Sequence, residues 1–184
     1  MKQNVILIGM PTAGKSTTGV VLAKMLGFDY IDTDLLIQKR EGCRLEEIIA
    51  ARGEEAFLDL EGEVVAGLSA EHAVIATGGS VIFWDGAMQH LKQLGTVIYL
   101  KISLRELLKR LQDAKSRGVV LKEGQTFEGL YLERIWYYEH YADLTVDEGT
   151  MDFEGVVKTV YTVIREQLGR RIHGDLRFPV KRCL

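Results

Sequence analysis

The sequence predicts an α/β fold, in which a parallel sheet is flanked by helices. Short runs rich in β-branched residues alternate with longer segments whose apolar residues follow helical spacing, which is typical of consecutive βαβ units. The first apolar run leads directly into a loop bounded by glycines and then into a helical segment. The 184 residues are enough for one domain and too few for two of ordinary size.

Five short apolar runs are the predicted strands, and they lie at 4–8, 29–31, 73–76, 97–100 and 144–146. The segments between them predict helices at 15–26, 45–66, 86–94, 103–112, 126–141 and 153–167. The first helix is expected to end at Gly27, because glycine readily adopts the left-handed conformation that closes a helix. The second is expected to run unbroken, because helical spacing is kept by Leu45, Ile48, Ile49, Phe57, Leu60 and Val64.

These elements make up one predicted domain over residues 1–168. Residues 113–125 are polar, charged and contain glycine, so they fit a mobile flap better than a helix or a strand. Residues 169–184 form a basic tail, in which five Arg or Lys residues stand against one Asp. A solvated or partly disordered terminus is the simpler interpretation of this tail, and a docking arm is the alternative.

The composition argues against several functional classes. Apolar residues make up 47%, charged residues 27%, and the net charge is −3, so neither a membrane protein nor a nucleic-acid-binding surface is predicted. Cys43 and Cys183 are too few for a disulfide framework and have no metal-ligand spacing with the histidines. The N-terminus enters a strand almost at once, so no signal peptide is expected. We expect a cytoplasmic protein, a monomer by default, that acts on a small molecule.

The loop after the first strand carries the strongest functional signal. Residues 9–16 read Gly-Met-Pro-Thr-Ala-Gly-Lys-Ser, which fits the P-loop pattern G-x-x-x-x-G-K-[ST] in the required context of strand, loop and helix. Backbone N–H groups of such a loop surround phosphate oxygens, and the following helix adds the positive end of its dipole. Lys15 is expected to reach the β- and γ-phosphates and Ser16 to hold Mg²⁺. The predicted ATP-binding residues of the loop are Gly9, Thr12, Ala13, Gly14, Lys15, Ser16 and Thr17.

Two carboxylates follow the second predicted strand at Asp32 and Asp34. Residues two apart on an extended chain point the same way, so both are expected at the carboxyl edge of the sheet, where open α/β folds bind ligands. One carboxylate would help to hold Mg²⁺ and the other would accept a proton from an attacking hydroxyl. The alternative is that one of them only caps the helix that starts near Leu35.

Two further features suggest a binding site for a small anion. Gly78 and Gly79 follow the third strand, and glycine lets backbone N–H groups approach a ligand closely, although an ordinary tight turn has the same pattern. Arg134 shares a predicted helix face with Leu130, Tyr131 and Tyr138. An arginine that faces inward needs an anionic partner, which is either a substrate carboxylate or an acid of the protein.

In this order, these motifs resemble those of the shikimate kinase family over about residues 1–168. The resemblance also rests on the segment Gly-Glu-x-x-Phe-x-x-x-Glu at 53–61 and on an arginine in the 113–125 flap. It implies a doubly wound α/β fold with a central five-stranded parallel sheet, a P-loop NTPase fold like that of nucleoside monophosphate kinases. It also implies ATP and Mg²⁺ as cosubstrate and cofactor. It further implies an acceptor-binding region at about 33–62 and a lid at 113–125.

The resemblance also assigns roles to individual residues. Lys15, Asp34 and Arg117 are the implied catalytic residues, and Arg117 is expected to reach over the transferring phosphate. Arg110 is implied to pack near adenine, and Ser16 and Asp32 to place the metal. The implied acceptor-binding residues are Asp34, Glu61, Gly78, Gly79 and Arg134.

The acceptor half departs from the family pattern. The family has an arginine at the position of Leu58, where it joins Arg134 in binding the shikimate carboxylate. A charged hydrogen bond of this kind contributes roughly 1.5–3 kcal/mol, so its loss implies about ten- to hundredfold weaker binding. Without that arginine, Glu61 is expected to lack a cation. Ser80 replaces the family's third glycine, Gly118 replaces the lid proline, and Thr12 replaces a P-loop glycine.

Three functions therefore remain open. The first is transfer of the γ-phosphoryl group of ATP to a ring hydroxyl of shikimate. The second is the same chemistry on another small polyol or hydroxy amino acid, with Arg134 binding its carboxylate and Glu61 its ammonium. The third is a nucleotide-binding regulatory protein without catalysis, although such a protein needs neither Asp34 nor Arg117.

Overall fold

The computed structural model describes residues 4–113, 124–149 and 151–172. Within them, five parallel strands form one sheet in the order β2-β3-β1-β4-β5. The strands are β1 (Asn4–Ile8), β2 (Asp29–Asp32), β3 (Ala73–Ala76), β4 (Gly95–Lys101) and β5 (Leu144–Asp147). The central strand is β1, and its Val5 is in register with Val74 of β3 and Thr96 of β4. The predicted fold class is confirmed.

The helices alternate with these strands. They are α1 (Lys15–Leu26), α2 (Thr33–Glu41), α3 (Leu45–Arg52), α4 (Glu54–Ala66), α5 (Asp85–Leu94), α6 (Leu104–Asp113), α7 (Phe127–Tyr141) and α8 (Phe153–Ile172). A short 3₁₀ helix, Val81–Phe83, follows β3. From β1 the chain crosses toward β2 and from β3 toward β4, which lie on opposite sides of the sheet order. Because such crossovers are right-handed, α1 and α5 cover opposite faces.

The main core lies on both faces of the central strands. Every residue of β1 and β3 is buried, as expected for parallel strands with helices on both sides. A second, smaller cluster lies under α2, α3 and α4 and consists of Ile37, Ile48, Phe57 and Leu60. This cluster supports the segment that was predicted to contribute to acceptor binding.

One predicted helix is wrong. The segment 45–66 is two helices, because Gly53 between them has φ of +82° and ψ of 172°. Few residues other than glycine adopt this conformation, and it breaks the helical hydrogen-bond pattern. The apolar spacing continues across the break because both helices pack on the same cluster, so periodicity alone did not reveal it.

Other boundaries agree with the sequence to within a few residues. The last helix is longer than predicted and ends at Ile172, so it includes the first residues of the basic tail. Residues 173–184, and residues 114–123 of the predicted lid, lie outside the described residues. Arg117 belongs to the latter segment. In the described part of the chain, no helix is long and apolar enough to cross a membrane.

Three loops meet at the carboxyl edge of the sheet. They follow β1, β2 and β3, which are neighbours in the sheet order. These loops carry the P-loop, Asp32 with Asp34, and Gly78 with Gly79. The topology therefore brings the motifs that the sequence singled out to one site.

Candidate active site

The P-loop is held against the sheet by close backbone contacts. A side chain at Gly9 would place its Cβ 2.6 Å from the carbonyl oxygen of Leu100, and the φ of Gly9 is +148°. The Ala13 N–H donates to the carbonyl of Met10 at 3.1 Å, which closes a turn inside the loop. Gly14, with φ of +73°, precedes α1 directly. Glycines at 9 and 14 are thus required by packing and by backbone conformation.

Lys15 begins α1 and lies inside the loop. Its ammonium donates to the carbonyls of Gly9 at 2.8 Å and Met10 at 2.9 Å. Burial lowers the pKa of Lys15 to about 8, and the carboxylate of Asp34 opposes this shift. The Lys15 cation therefore lies inside the P-loop, close to the position expected for the phosphates.

Ser16 and Asp32 lie side by side. The Ser16 hydroxyl donates to Asp32 Oδ2 at 2.8 Å, and the Tyr30 hydroxyl donates to the same oxygen at 2.9 Å. The other oxygen, Oδ1, accepts the backbone N–H of Asp34 at 3.0 Å and caps α2. Ser16 and Asp32, the predicted metal ligands, therefore lie together. Asp32 also caps α2, which is the alternative role that the sequence left open.

Asp34 corrects one part of the sequence prediction. It does not continue the extended strand with Asp32 but stands in the first turn of α2, because the helix begins at Thr33. Its carboxylate nevertheless faces the site, since it lines both cavities described below. Burial raises the pKa of Asp34 to about 6, the nearby Asp32 carboxylate adds to this, and Lys15 opposes it.

The larger cavity, of about 730 Å³, lies along the P-loop. It is lined by Thr12, Gly14, Lys15, Ser16, Thr17 and Arg110, among other residues. Arg110 forms ion pairs with Glu106 at 3.0 Å and Glu148 at 2.8 Å, and it donates to the Thr12 carbonyl at 3.2 Å. Arg110 is therefore close to the predicted nucleotide position and also fixes the P-loop itself.

The smaller cavity, of about 310 Å³, lies on the other side of Asp34. Arg134 of α7 lines it and is only 5% exposed. Its guanidinium stands over the Phe83 ring at 5.4 Å, and its Nε has no hydrogen-bond partner among the described residues. The predicted inward face of α7 is confirmed, since Leu130, Tyr131 and Tyr138 are buried with it.

Glu61 of α4 reaches the same cavity and is 1% exposed. Its Oε2 accepts the Ser80 hydroxyl at 2.6 Å, while Oε1 is buried without a partner in the part of the chain that is described. Burial is the main cause that raises the pKa of Glu61 to about 7, and the Ser80 hydrogen bond opposes it. The Glu61 carboxylate, which was expected to lack a cation, thus accepts a hydrogen bond from a hydroxyl group instead.

Gly78 and Gly79 give these side chains room. A Cβ at Gly78 would collide with Glu61 Oε1 and lie 2.9 Å from Asp34 Oδ1, and a Cβ at Gly79 would lie 3.1 Å from an Arg134 amino group. Their polar groups are partly used within the protein. The Gly78 N–H donates to Thr33 Oγ1 at 3.1 Å, and the Gly79 carbonyl accepts the Tyr138 hydroxyl at 2.6 Å.

Sequence reasoning missed three residues of this site. Tyr30 precedes Asp32 by two residues, and Thr33 lies between Asp32 and Asp34. The sequence shows that both are near the aspartates, but it does not show that Tyr30 donates to Asp32 or that Thr33 accepts the Gly78 N–H. Ser80 was noticed as a departure from the family pattern without a partner being assigned. Only the fold brings the loop after β3 against α4, where Ser80 meets Glu61.

Comparison with known proteins agrees with this geometry. The family model described as shikimate kinase matches residues 11–165. The shikimate kinase of Clostridium botulinum (strain 657 / Type Ba4) is 40% identical over 141 residues, which cover 74% of this chain and 83% of that protein. The shikimate kinase of Methylococcus capsulatus is 34% identical over 177 residues, which cover 95% and 98% of the two chains.

A solved structure shows the same fold. The shikimate kinase from Acinetobacter baumannii in complex with shikimate has a TM-score of 0.80 to this chain at 28% sequence identity, and the match covers 92% of this chain and 94% of the other. The family-model match covers β2 to β5 and the site residues from Pro11 onward, and it begins just after β1 and Gly9. From its sequence, its fold and the arrangement of its site, the chain belongs to the shikimate kinase family.

Proposed function

We propose that the protein transfers the γ-phosphoryl group of ATP to a hydroxyl of shikimate, with shikimate 3-phosphate as the product. One observation carries this proposal: Asp34 lines both the P-loop cavity and the Arg134 cavity and therefore stands at their boundary. A group at this boundary is placed to contact an acceptor hydroxyl on one side and the transferring phosphoryl on the other. Phosphoryl transfer between two bound substrates needs this arrangement.

The nucleotide side supports ATP and Mg²⁺, which members of this family use. Ser16 and Asp32 offer a hydroxyl and a carboxylate, the hard oxygen donors that suit Mg²⁺. Mg²⁺ commonly takes only one or two protein ligands and completes its shell with phosphate oxygens and water. When bound there, it would neutralise charge that develops on the phosphates.

In the proposed reaction, the acceptor oxygen attacks the γ-phosphorus of ATP while the bond from that phosphorus to the β–γ bridging oxygen breaks. ADP leaves, and the hydroxyl proton passes to Asp34. Lys15, held beside the carbonyls of Gly9 and Met10, donates to the phosphate oxygens and stabilises the charge on them. We propose that Arg117, outside the described residues, adds a second cation over the transferring group.

On the acceptor side, Arg134 supports a carboxylate ligand. The guanidinium is buried, it lines the cavity, and one of its nitrogen atoms has no partner among the described residues. A buried cation in this state favours an anion that offers two oxygens in one plane. We propose that Gly78, Gly79 and Glu61 line the remaining part of the acceptor.

A second candidate is the same reaction on a different small polyol or hydroxy amino acid. The observation that favours it is charge: of the described residues that line the acceptor cavity, Arg134 is the one cation, and Asp34, Glu54, Glu61 and Glu133 are acidic. Such a cavity binds a second carboxylate or a phosphate poorly. It accepts an ammonium group more readily than a cavity with two arginines does.

The deciding experiment is a coupled assay of ADP release with Mg²⁺-ATP. Shikimate is compared with a panel of small polyols, hydroxy acids and hydroxy amino acids, and Asp34→Asn is the matched control. Turnover of shikimate that depends on Asp34 supports the first proposal. If shikimate is inert while another acceptor is phosphorylated, the second candidate replaces it. ATP binding without turnover of any acceptor would contradict both.

We also propose that the protein acts as a cytoplasmic monomer on free metabolites, without a nucleic-acid or membrane partner. The net charge of −3 and the average content of charged residues support this. Light scattering behind a sizing column tests the oligomeric state, because a monomer has a mass near 20.7 kDa.

A further inference from the structure

Glu61 is a buried carboxylate with an unusual set of partners. It forms no ion pair within residues 4–113, 124–149 and 151–172, although Arg134 and Lys15 attract it electrostatically. The one hydrogen bond it accepts there comes from the Ser80 hydroxyl, at 2.6 Å to Oε2. Burying a carboxylate without a hydrogen-bond donor is costly, so this single bond matters for keeping the charged form in place.

Leu58, one turn earlier on α4, cannot donate a hydrogen bond to Glu61. Leu58 lines the same cavity as Glu61 and stands three residues before it, at a spacing that puts two side chains on one helix face. A cationic side chain at this position would be within reach of Glu61, whereas leucine has no donor. The donor must therefore come from a different segment of the chain.

Ser80 supplies it from the start of the 3₁₀ helix after β3. The backbone of Ser80 has φ of −99° and ψ of −11°, a conformation that any L-residue adopts without strain, so the fold does not require glycine there. Its hydroxyl does not cap the 3₁₀ helix that it precedes. The hydroxyl is directed to Glu61 instead.

We propose that Ser80 is a positioning residue for acceptor binding: by holding Glu61 Oε2, it keeps Oε1 in the acceptor cavity, and it does so in place of a cation at position 58. This inference rests on the proposed function, because it takes the cavity beside Asp34 as the acceptor site. It makes residues 58 and 80 an energetically coupled pair that acts through Glu61.

The free oxygen is well placed to contact an acceptor. A Cβ at Gly78 would meet both Glu61 Oε1 and Asp34 Oδ1, so the two carboxylates approach each other at Gly78, in the wall of the cavity that all three residues line. Oε1 is buried and has no partner among the described residues. If Ser80 lost its hydroxyl, Glu61 would either take up a proton or turn away, and an acceptor hydroxyl would lose this partner.

The test is a double-mutant cycle between positions 58 and 80. Ser80→Ala removes the hydroxyl and keeps Cβ, while Ser80→Thr keeps the hydroxyl. We expect Ser80→Ala to raise the acceptor KM about tenfold, because a hydrogen bond to a charged group is lost. The KM for ATP and kcat are expected to stay within about twofold, and Ser80→Thr should recover most of the acceptor affinity.

The second half of the cycle places Ser80→Ala in the Leu58→Arg variant. There the guanidinium gives Glu61 another donor, so Ser80→Ala is expected to raise the acceptor KM by less than about threefold. An equal effect of Ser80→Ala with and without Leu58→Arg would overturn the proposal. So would an unchanged acceptor KM, or a loss that falls equally on kcat and on the KM for ATP.

A measurement without any acceptor separates this inference from the proposed function. Carbon-13 NMR of the glutamate carboxyls, with Glu61→Gln to assign the signal, follows the titration of Glu61. Loss of the Ser80 donor should raise the pKa of Glu61 further, and Leu58→Arg should lower it again. No turnover of any acceptor would overturn the proposed function alone, whereas an unchanged titration in Ser80→Ala would overturn the role of Ser80.

Discussion

The Ser16 hydroxyl donates a hydrogen bond of 2.8 Å to Asp32 Oδ2, and this bond links the first turn of α1 to the end of β2. The second oxygen of Asp32 caps α2 through the Asp34 N–H. One carboxylate therefore has two roles, because it links α1 to the first turn of α2 and offers an oxygen beside Ser16. Mutation can separate the helix-capping role of Asp32 from the role of its negative charge beside Ser16.

Asp32→Asn is expected to impair metal use without unfolding the protein. Asparagine is as good an N-cap as aspartate, so the free energy of unfolding should stay within about 0.5 kcal/mol. Loss of the charge beside Ser16 should raise the Mg²⁺ concentration needed for half-maximal activity and lower kcat by about ten- to hundredfold. The assay is ADP release as a function of Mg²⁺.

The matched variant for this prediction is Asp32→Ala, which also removes the cap. It should lose the same activity and, in addition, about 1 kcal/mol of stability in urea unfolding. An unchanged Mg²⁺ requirement in Asp32→Asn would show that this carboxylate does not help to place the metal.

The pH dependence of activity should report Asp34. Its pKa is raised to about 6, mainly by burial, and the protonated form cannot accept the proton of the acceptor hydroxyl. We therefore expect kcat, measured at saturating acceptor so that the effect of Glu61 on the acceptor KM does not enter, to fall as the pH is lowered through about 6, with a slope of one proton. Asp34→Asn should be about 10² to 10⁴ times slower and should lack this acidic limb. A limb that persists in the residual activity of Asp34→Asn would assign the titration to another group.

Much of this site was predictable because it depends on local pattern and topology. The P-loop is a contiguous motif, and Asp32 follows a recognisable strand, so a parallel sheet brings them to one edge. Arg134 could be placed on an inward face because its helical neighbours are apolar and aromatic. In each case, neighbouring residues in the sequence are enough to predict the position of the residue.

What the sequence did not predict depends on contacts between distant segments. Ser80 and Glu61 are 19 residues apart and meet only because the 3₁₀ helix packs on α4. The break at Gly53 was hidden because α3 and α4 contribute to one apolar cluster, and only the positive φ of +82° separates them. Periodicity reports which face is buried, and it does not report where the helix axis changes direction.

Thr12 is expected to be a site of stored strain in the P-loop. Its φ is +66°, in the left-handed region that favours glycine, and its hydroxyl is buried without a partner among the described residues. The ion-paired Arg110 donates to the Thr12 carbonyl at 3.2 Å and helps to hold this conformation. Thr12→Gly should therefore raise the free energy of unfolding by about 1 kcal/mol. The measurement is urea unfolding, and a loss of stability would mean that the threonine side chain contributes packing that outweighs the strain.

Stability should depend on pH through Glu61. Burial raises the pKa of Glu61 from its ordinary value of 4.5 to about 7 in the folded protein, so the native state binds a proton more tightly than the unfolded chain does. The resulting stabilisation is complete below the unfolded value and is lost as the pH rises through about 7. Wild-type protein should therefore become less stable between about pH 4.5 and 7, by an amount on the order of 3 kcal/mol from this group.

Glu61→Gln isolates this contribution. Its amide oxygen still accepts the Ser80 hydroxyl, but the side chain does not titrate, so its stability should change less over the same pH range. Part of the decline is expected to remain, because the pKa of Asp34 is raised as well. The experiment compares urea unfolding of the two proteins at several pH values from 4.5 to 7.5, chosen to span the two Glu61 pKa values. Parallel curves would mean that Glu61 stays charged in the folded protein, and that Ser80 together with the nearby cations fully offsets the cost of its burial.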